Sequence, residues 1–138
     1  MSQDLIKKLN QALSEELQVS IQYMYQHIQQ TGIRGFIVQE ELRKISIEEM
    51  KHAELLAERI DYLGGVPTPI PAKVSVGEKL DEMFLLDITA EKGAIDLYKE
   101  IFKISMEEGD VTTGHIVKQI LQDEEEHLSF FESIMENE

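Results

Sequence analysis

Four residues recur in the same order and at the same spacing in the two halves of this 138-residue chain. Glu16 is followed by Tyr23, and Glu49 comes 33 residues after Glu16, with His52 three residues further on. The same residue types return 75 residues later, as Glu91, Tyr98, Glu124 and His127. Residues three or seven apart share one face of an α-helix. Each half therefore places a Glu on one helix and a Glu-x-x-His pair on the next, which favours an all-α protein built from two related helix pairs.

Apolar residues spaced three and four apart predict the helices themselves. We place them at about residues 3–31, 35–63, 78–108 and 111–136, with a crossover over residues 64–77. The spacing is typical of the seams in a left-handed helical bundle. We therefore expect a single domain over residues 1–138.

Capping signals locate several helix ends. Gly32 is a suitable C-terminal stop for the first helix. Ser75 followed by Glu78 matches a capping box at the start of the third helix. Asp110 is a suitable N-cap for the fourth helix.

The crossover contains three prolines, Pro67, Pro69 and Pro71, and cannot be helical. Its reach of at most ~46 Å, at ~3.3 Å per residue, exceeds the ~42 Å length of a 28-residue helix. The short links elsewhere force antiparallel pairs, first with second and third with fourth. We expect the long link to let the second pair start from the same end as the first, with a pseudo-twofold axis through the site.

The repeated Glu and His residues occupy seam positions where Leu or Ile would be expected. Burying four carboxylates without compensation would cost many kcal/mol, and two divalent cations would cancel their charge. Carboxylate and imidazole ligands together suit Fe, Mn or Zn better than Mg or Ca. The predicted metal ligands are Glu16, Glu49, His52, Glu91, Glu124 and His127.

We predict that Glu49 and Glu124 bridge the two ions, because each shares a helix with one His and the pseudo-axis places them opposite each other. Glu16 and Glu91 would be terminal ligands, one for each ion. Each His would bind one ion through a single ring nitrogen.

Nearby residues are candidates for supporting these ligands. Asp123 lies four residues before His127 and Glu48 four residues before His52, so each acid could orient the imidazole on its own helix. Tyr23 and Tyr98 could either be core residues or hydrogen-bond a ligand Glu.

The formal charge of −14 repels nucleic acid and anionic membranes and attracts cations. The absence of cysteine excludes thiolate metal sites. No stretch approaches the roughly 20 apolar residues of a membrane span, and the start has no leader pattern. We expect a cytoplasmic protein with no nucleic-acid or membrane partner.

With these residues in place, the chain resembles bacterioferritin, within the ferritin-like di-iron carboxylate class. The similarity spans nearly the whole chain, and the Glu-Met-Lys-His string at residues 49–52 is its most specific part. The matching stretches are Glu16-Leu17 with Tyr23, residues 47–53, residues 58–60, and residues 123–125 with His127.

The resemblance implies a ferritin-like four-helix bundle with ferroxidase activity. Two iron ions per subunit, which Mn or Zn could replace in crystals, would be oxidised by O₂ or H₂O₂ for iron storage and detoxification. Tyr23 would act as an electron donor or as a hydrogen-bond partner of a ligand. Met50 matches the position of a haem b axial ligand, supplied by each of two subunits across a dimer axis.

The sequence also departs from the family. Only 11 residues follow His127, so we expect the short fifth helix of typical bacterioferritins to be missing. A homo-oligomer built from dimers is expected, and a dimer, a 12-subunit shell and a 24-subunit shell all remain open.

Two alternatives stay open from the sequence. One is a rubrerythrin-like di-iron oxidase or peroxidase without mineral storage. Rubrerythrins usually carry a Glu where this chain has Ala94, together with a cysteine-bound iron domain. The other alternative is a metal-free helical interaction module.

Overall fold

Four α-helices dominate the computed structural model, which describes residues 3–136. They are α1 (Gln3–Ile28), α2 (Gly32–Tyr62), α3 (Leu80–Glu107) and α4 (Val111–Glu136). They form the predicted four-helix bundle, in which α1 packs closely against α2 and α3 against α4. Within the described part of the chain, no helix combines the length and apolar character needed to cross a membrane.

The turn between α1 and α2 differs from its predicted form. α1 ends at Ile28, and α2 already begins at Gly32 instead of at residue 35. The amide of the Gln30 side chain donates to the carbonyl of Gln26 at 2.8 Å, so a side chain satisfies a free carbonyl in the last turn of α1. Gly32, with φ of 75°, therefore opens α2 and does not stop α1.

The predicted capping box at the start of α3 is wrong. The helix begins at Leu80, and Lys79 occupies the N-cap position without a side-chain hydrogen bond. The Glu82 carboxylate instead accepts a hydrogen bond from the backbone N–H of Glu78 at 2.6 Å. An acid in the first turn also interacts favourably with the positive end of the helix dipole.

The N-cap predicted for α4 is confirmed. Asp110 Oδ1 accepts a hydrogen bond from the backbone N–H of Thr113 at 3.0 Å, and Oδ2 accepts one from the Thr113 hydroxyl at 2.6 Å. Arg59 of α2 also donates to Asp110 Oδ1, at 2.9 Å. The cap therefore ties the end of α2 to the start of α4.

The crossover, residues 63–79, lies along α1 in an extended conformation. Its contacts follow α1 from its first turns to its last: Asn10 Nδ2 donates to Val66 O at 3.0 Å, Ser14 Oγ to Ile70 O at 2.8 Å, and Gln26 Nε2 to Val76 O at 3.0 Å. The crossover therefore carries the chain from the start of α1 to its end.

The direction of α3 corrects our expectation for the second helix pair. Lys8, near the start of α1, forms an ion pair with Glu100, near the end of α3, at 2.9 Å. Arg34, at the start of α2, pairs with Asp81, at the start of α3, at 2.8 Å. The second pair thus starts from the end opposite to the first, because a link that spans the bundle must deliver the chain to the other end. α1 and α3 are consequently antiparallel.

Two apolar clusters fill the bundle, and each draws residues from all four helices. One includes Leu9, Leu56, Ile101 and Ile120. The other includes Tyr23, Leu42, Phe84 and Phe131. The repeated Glu and His residues form a polar layer between these two clusters.

Candidate metal centre

The structure brings the six predicted ligands together in the middle of the bundle. α1 and α3 each supply one Glu, and α2 and α4 each supply a Glu-x-x-His pair. Every one of these side chains is at most 5% exposed. They are Glu16, Glu49, His52, Glu91, Glu124 and His127.

The six side chains form two overlapping sets of four. In each set, one donor atom from every residue lies within 4.8 Å of the others. Glu49 and Glu124 belong to both sets. Glu16 and His52 complete the first set, and Glu91 and His127 complete the second.

Glu49 reaches both imidazoles with different oxygens. Its Oε1 lies 2.9 Å from His52 Nδ1, and its Oε2 lies 3.6 Å from His127 Nδ1. Glu124 Oε1 lies between the two rings, 3.5 Å from His52 Nδ1 and 3.1 Å from His127 Nδ1. These two glutamates are therefore placed so that each could contact two cations at once.

The two tyrosines of the repeat hold the two remaining glutamates in a crossed pattern. Tyr23 on α1 donates a hydrogen bond to Glu91 Oε1 on α3 at 3.0 Å. Tyr98 on α3 donates to Glu16 Oε2 on α1 at 2.5 Å. Burial and the neighbouring carboxylates raise the pKa of both phenols well above the ordinary value. Both hydroxyls therefore keep the proton that they donate.

We expect Tyr98→Phe to lower the free energy of unfolding of the metal-free protein by about 1–3 kcal/mol, because a buried carboxylate oxygen loses its hydrogen bond. Urea unfolding followed by circular dichroism measures the change. Tyr25→Phe on the exposed side of α1 is the control and should alter stability by less than about 0.5 kcal/mol. Equal stabilities for the two variants would contradict the prediction.

The outer nitrogen of each imidazole faces a carboxylate on the other helix pair. His52 Nε2 lies 2.8 Å from Asp123 Oδ2, and His127 Nε2 lies 2.7 Å from Glu48 Oε1. The predicted pairing of each His with the acid one turn earlier on its own helix is therefore wrong. Since each ring turns Nδ1 toward the cluster, its Nε2 points across to the adjacent helix.

The acids of the site are electrostatically strained without cations. Burial raises the pKa of Glu49 and Glu124 well above the ordinary value, and repulsion from Glu16 and Glu91 adds to the effect. Burial alone would lower the pKa of His52, but Glu16, Glu124 and Asp123 outweigh it and raise the pKa to about 9. The pocket thus favours positive charge at its centre.

Unpartnered polar atoms show that the site has unused capacity to bind. A buried polar atom without a hydrogen bond costs about 1–3 kcal/mol. The site nevertheless holds five of them: Glu16 Oε1, Glu49 Oε2, Glu91 Oε2, Glu124 Oε1 and His127 Nδ1. Carboxylate oxygens and a ring nitrogen are suitable ligands for first-row divalent metals, so the donor set fits a pair of such ions.

Sequence reasoning missed a buried acid beside the site. Asp87 is fully buried one turn before Glu91, and its Oδ1 accepts a hydrogen bond from Gln22 Nε2 at 2.8 Å. Burial raises its pKa to about 8, although the amides of Gln22 and Gln26 oppose the change. The repeat could not reveal Asp87, because the equivalent position in the first half is Ala12. Its spacing of four from Glu91 was the available signal.

Met50 lies outside the polar layer, on the outer face of α2, where it is 47% exposed. Other exposed apolar side chains on α1 and α2 are Ile21, Met24 and Ile47. A pocket of about 490 Å³ beside Met50 is also lined by Leu13, Leu17 and Pro69.

Comparisons with known proteins place these features in context. The ferritin-like domain family matches residues 6–138. A bacterioferritin from Desulfovibrio desulfuricans is 34% identical over 131 residues, which cover 94% of this chain and 73% of that protein.

Two solved structures have closely similar folds. A ferritin-like, di-iron-carboxylate protein from Bacillus anthracis superposes with a TM-score of 0.93 at 26% identity, covering 97% of this chain and 99% of that one. A Rhodobacter capsulatus bacterioferritin, described with a metal-free dinuclear site and a haem iron in a crystallographic special position, superposes with a TM-score of 0.85 at 30% identity. The match covers 96% of this chain and 84% of that one.

Proposed function

The chain belongs to the ferritin-like family, with bacterioferritins as its relatives, and we propose that it oxidises Fe(II) with O₂ or H₂O₂ for iron storage and detoxification. The observation that carries the proposal is the pair of overlapping four-residue sets, each with buried donor atoms that lack partners. The relationship to bacterioferritins favours this function over a rubrerythrin-like oxidase without storage.

Charge supports two cations within one subunit. Four ionised glutamates carry four negative charges, and two Fe(II) ions carry four positive charges. Pairing removes most of the cost of burying either set. A metal-free interaction module would have no use for this arrangement, since apolar side chains of similar volume would stabilise it more.

We assign roles from the distances. Glu49 and Glu124 would bridge the two ions, Glu16 and His52 would complete the shell of one, and Glu91 and His127 that of the other. Two Fe(II) ions bound in this way would together give up two electrons, enough to reduce one O₂ to H₂O₂ or one H₂O₂ to two waters.

The surrounding side chains would hold these ligands in place. Asp123 and Glu48 accept hydrogen bonds from the outer ring nitrogens and so leave Nδ1 of each His free for a metal. Tyr23 and Tyr98 fix one oxygen of each terminal glutamate. Tyr23 is also placed to supply an electron when the oxidant needs more than the two irons provide.

Adding Fe(II) to the purified protein in air tests the proposal. We expect the ferric absorbance to rise faster than in buffer, with a first phase that saturates near two Fe(II) per chain. Iron that stays with the protein through size-exclusion chromatography would support storage. Oxidation no faster than in buffer would contradict the ferroxidase assignment.

We also propose that the protein is a cytoplasmic homo-oligomer built from dimers that bind haem b between two Met50 side chains. The exposed apolar residues of α1 and α2 around Met50 support this, because such faces mark association sites. The Rhodobacter capsulatus relative provides a precedent for the haem. Size-exclusion chromatography with light scattering would distinguish a dimer from a 12- or 24-subunit shell.

Haem titration tests the role of Met50. We expect the Soret absorbance to saturate at one haem per two chains in the wild type and Met50→Ala to lose the bis-methionine spectrum. Met106→Ala, at a similarly exposed methionine on α3, is the control and should bind haem normally. A wild-type spectrum for Met50→Ala would contradict the assignment.

A further inference from the structure

A pocket of about 210 Å³ leads into the bundle between α1 and α3. The crossover passes over it at Ala72, whose backbone N–H donates to the carbonyl of Ser14 at 2.9 Å. Its outer lining includes Glu15, Gln18, Ala72, Ala90, Gly93 and Ala94. Most of these side chains are small, so the pocket stays open although it lies between two packed helices.

The inner end of this pocket is the metal centre itself. Glu16, Glu91 and Glu124 all line it. Each of these side chains is at least 98% buried and keeps one oxygen without a hydrogen-bond partner. The pocket therefore connects the outside of the α1/α3 face with three of the six predicted ligands.

The opposite face of the bundle is more obstructed. On α2 and α4, both imidazoles lie beneath acids that hold their Nε2 atoms at 2.7–2.8 Å. These acids are Asp123, over His52, and Glu48, over His127. A cation approaching from that face would have to break one of these hydrogen bonds and move a buried ring.

Gly93 has no structural explanation other than the pocket. It lies in the middle of α3, where a glycine costs roughly 1 kcal/mol relative to alanine. Its φ is not positive, and a Cβ built at this position would meet no atom within 4 Å. Neither backbone conformation nor packing requires a glycine here, whereas any larger side chain would stand at the pocket wall.

We propose that this pocket is the entrance through which divalent cations reach the metal centre, with Gly93 keeping it open and Glu15 attracting cations to it. The inference rests on the proposed function, because it assumes that the six ligands bind cations. The acids along the route, from Glu15 to Glu16 and Glu91, give it a negative potential that favours cations over neutral or anionic solutes.

Anaerobic stopped-flow binding of Co(II), followed by its visible absorbance, tests the entrance. Gly93→Phe should lower the association rate by at least about tenfold, while the final stoichiometry stays at two Co(II) per chain. Gln119→Phe adds the same bulk at an exposed position of α4 and should bind at the wild-type rate. Glu15→Gln, which adds no bulk, should slow association several-fold and weaken its dependence on salt.

The outcomes separate this inference from the proposed function. A wild-type protein that binds no Co(II) contradicts the proposed function as well. Normal binding by the wild type and an unchanged rate in both Gly93→Phe and Glu15→Gln contradict only the entrance. If Gly93→Phe binds Co(II) at the normal rate but oxidises Fe(II) slowly, the pocket admits the oxidant and the cation route is wrong. If Gly93→Phe does not fold, the Glu15→Gln rate alone decides.

Discussion

Glu49→Leu should lower the rate of Fe(II) oxidation by more than about 100-fold and, in the same protein, raise the stability of the metal-free state. Loss of a residue that only supports a ligand commonly costs 10–100-fold in metal affinity or activity. Glu49 belongs to both four-residue sets, so its loss should exceed that range. The ferric absorbance assay measures the first effect.

The stability change follows from the same burial. Glu49 is fully buried among other acids, which makes its charge unfavourable when no cation is present. Replacing buried charges with apolar side chains of similar volume is often neutral or stabilising by about 1–4 kcal/mol. Thermal unfolding with a chelator present should show a higher midpoint for the variant, and added Co(II) should stabilise only the wild type.

Glu58→Leu is the matched control, because it makes the same substitution at an exposed position of the same helix. It should oxidise Fe(II) at the wild-type rate and retain stabilisation by Co(II). A Glu49→Leu protein that kept fast oxidation would rule out a bridging role. A large loss of stability in its metal-free form would show that Glu49 holds the fold together.

Asp123→Ala should weaken the cation bound by His52 by about 10–100-fold, and Glu48→Ala should weaken the one bound by His127 to a similar extent. The crossed hydrogen bonds are the reason, since each acid holds the imidazole of the opposite helix pair. Calorimetric titration with Co(II) would resolve the two binding events.

Double variants identify which pair is coupled. In a His52→Ala background, Asp123→Ala should cause little further loss, whereas in a His127→Ala background it should keep its full effect. Glu48→Ala should show the reverse pattern. If each acid were coupled to the His on its own helix, the crossed arrangement would be wrong.

The spacing of the repeat was sufficient to find the six side chains that the structure brings together. In the acidic runs, only Glu49 lies three residues before His52 and only Glu124 lies three residues before His127. Helical geometry then leaves one choice in each run, because only residues three or four apart share a face.

The features that the sequence did not reveal depend on relations between helices. The pairing of Asp123 with His52 requires the ring orientation and the distance between α2 and α4, and spacing along a single helix contains neither. Asp87 has no counterpart in the repeat. The capping box failed because the start of α3 is set by the extended crossover, whose Ser75 N–H faces Gln22 Oε1 on α1 at 3.4 Å.

The direction of the second helix pair was a geometric error and did not come from missing information. The crossover was correctly judged long enough to span the bundle. A segment that leaves one end and spans the full length must arrive at the other, and the contacts from Asn10 to Gln26 follow that path.

The separation of the apolar interior into two clusters has a consequence for the dynamics of the molecule. Each cluster joins all four helices, so both ends of the bundle are held without any contribution from the charged layer between them. Gain or loss of ions should therefore change amide exchange mainly at mid-height, while the ends stay protected. Such a molecule could load and release ions repeatedly without passing through a globally unfolded state.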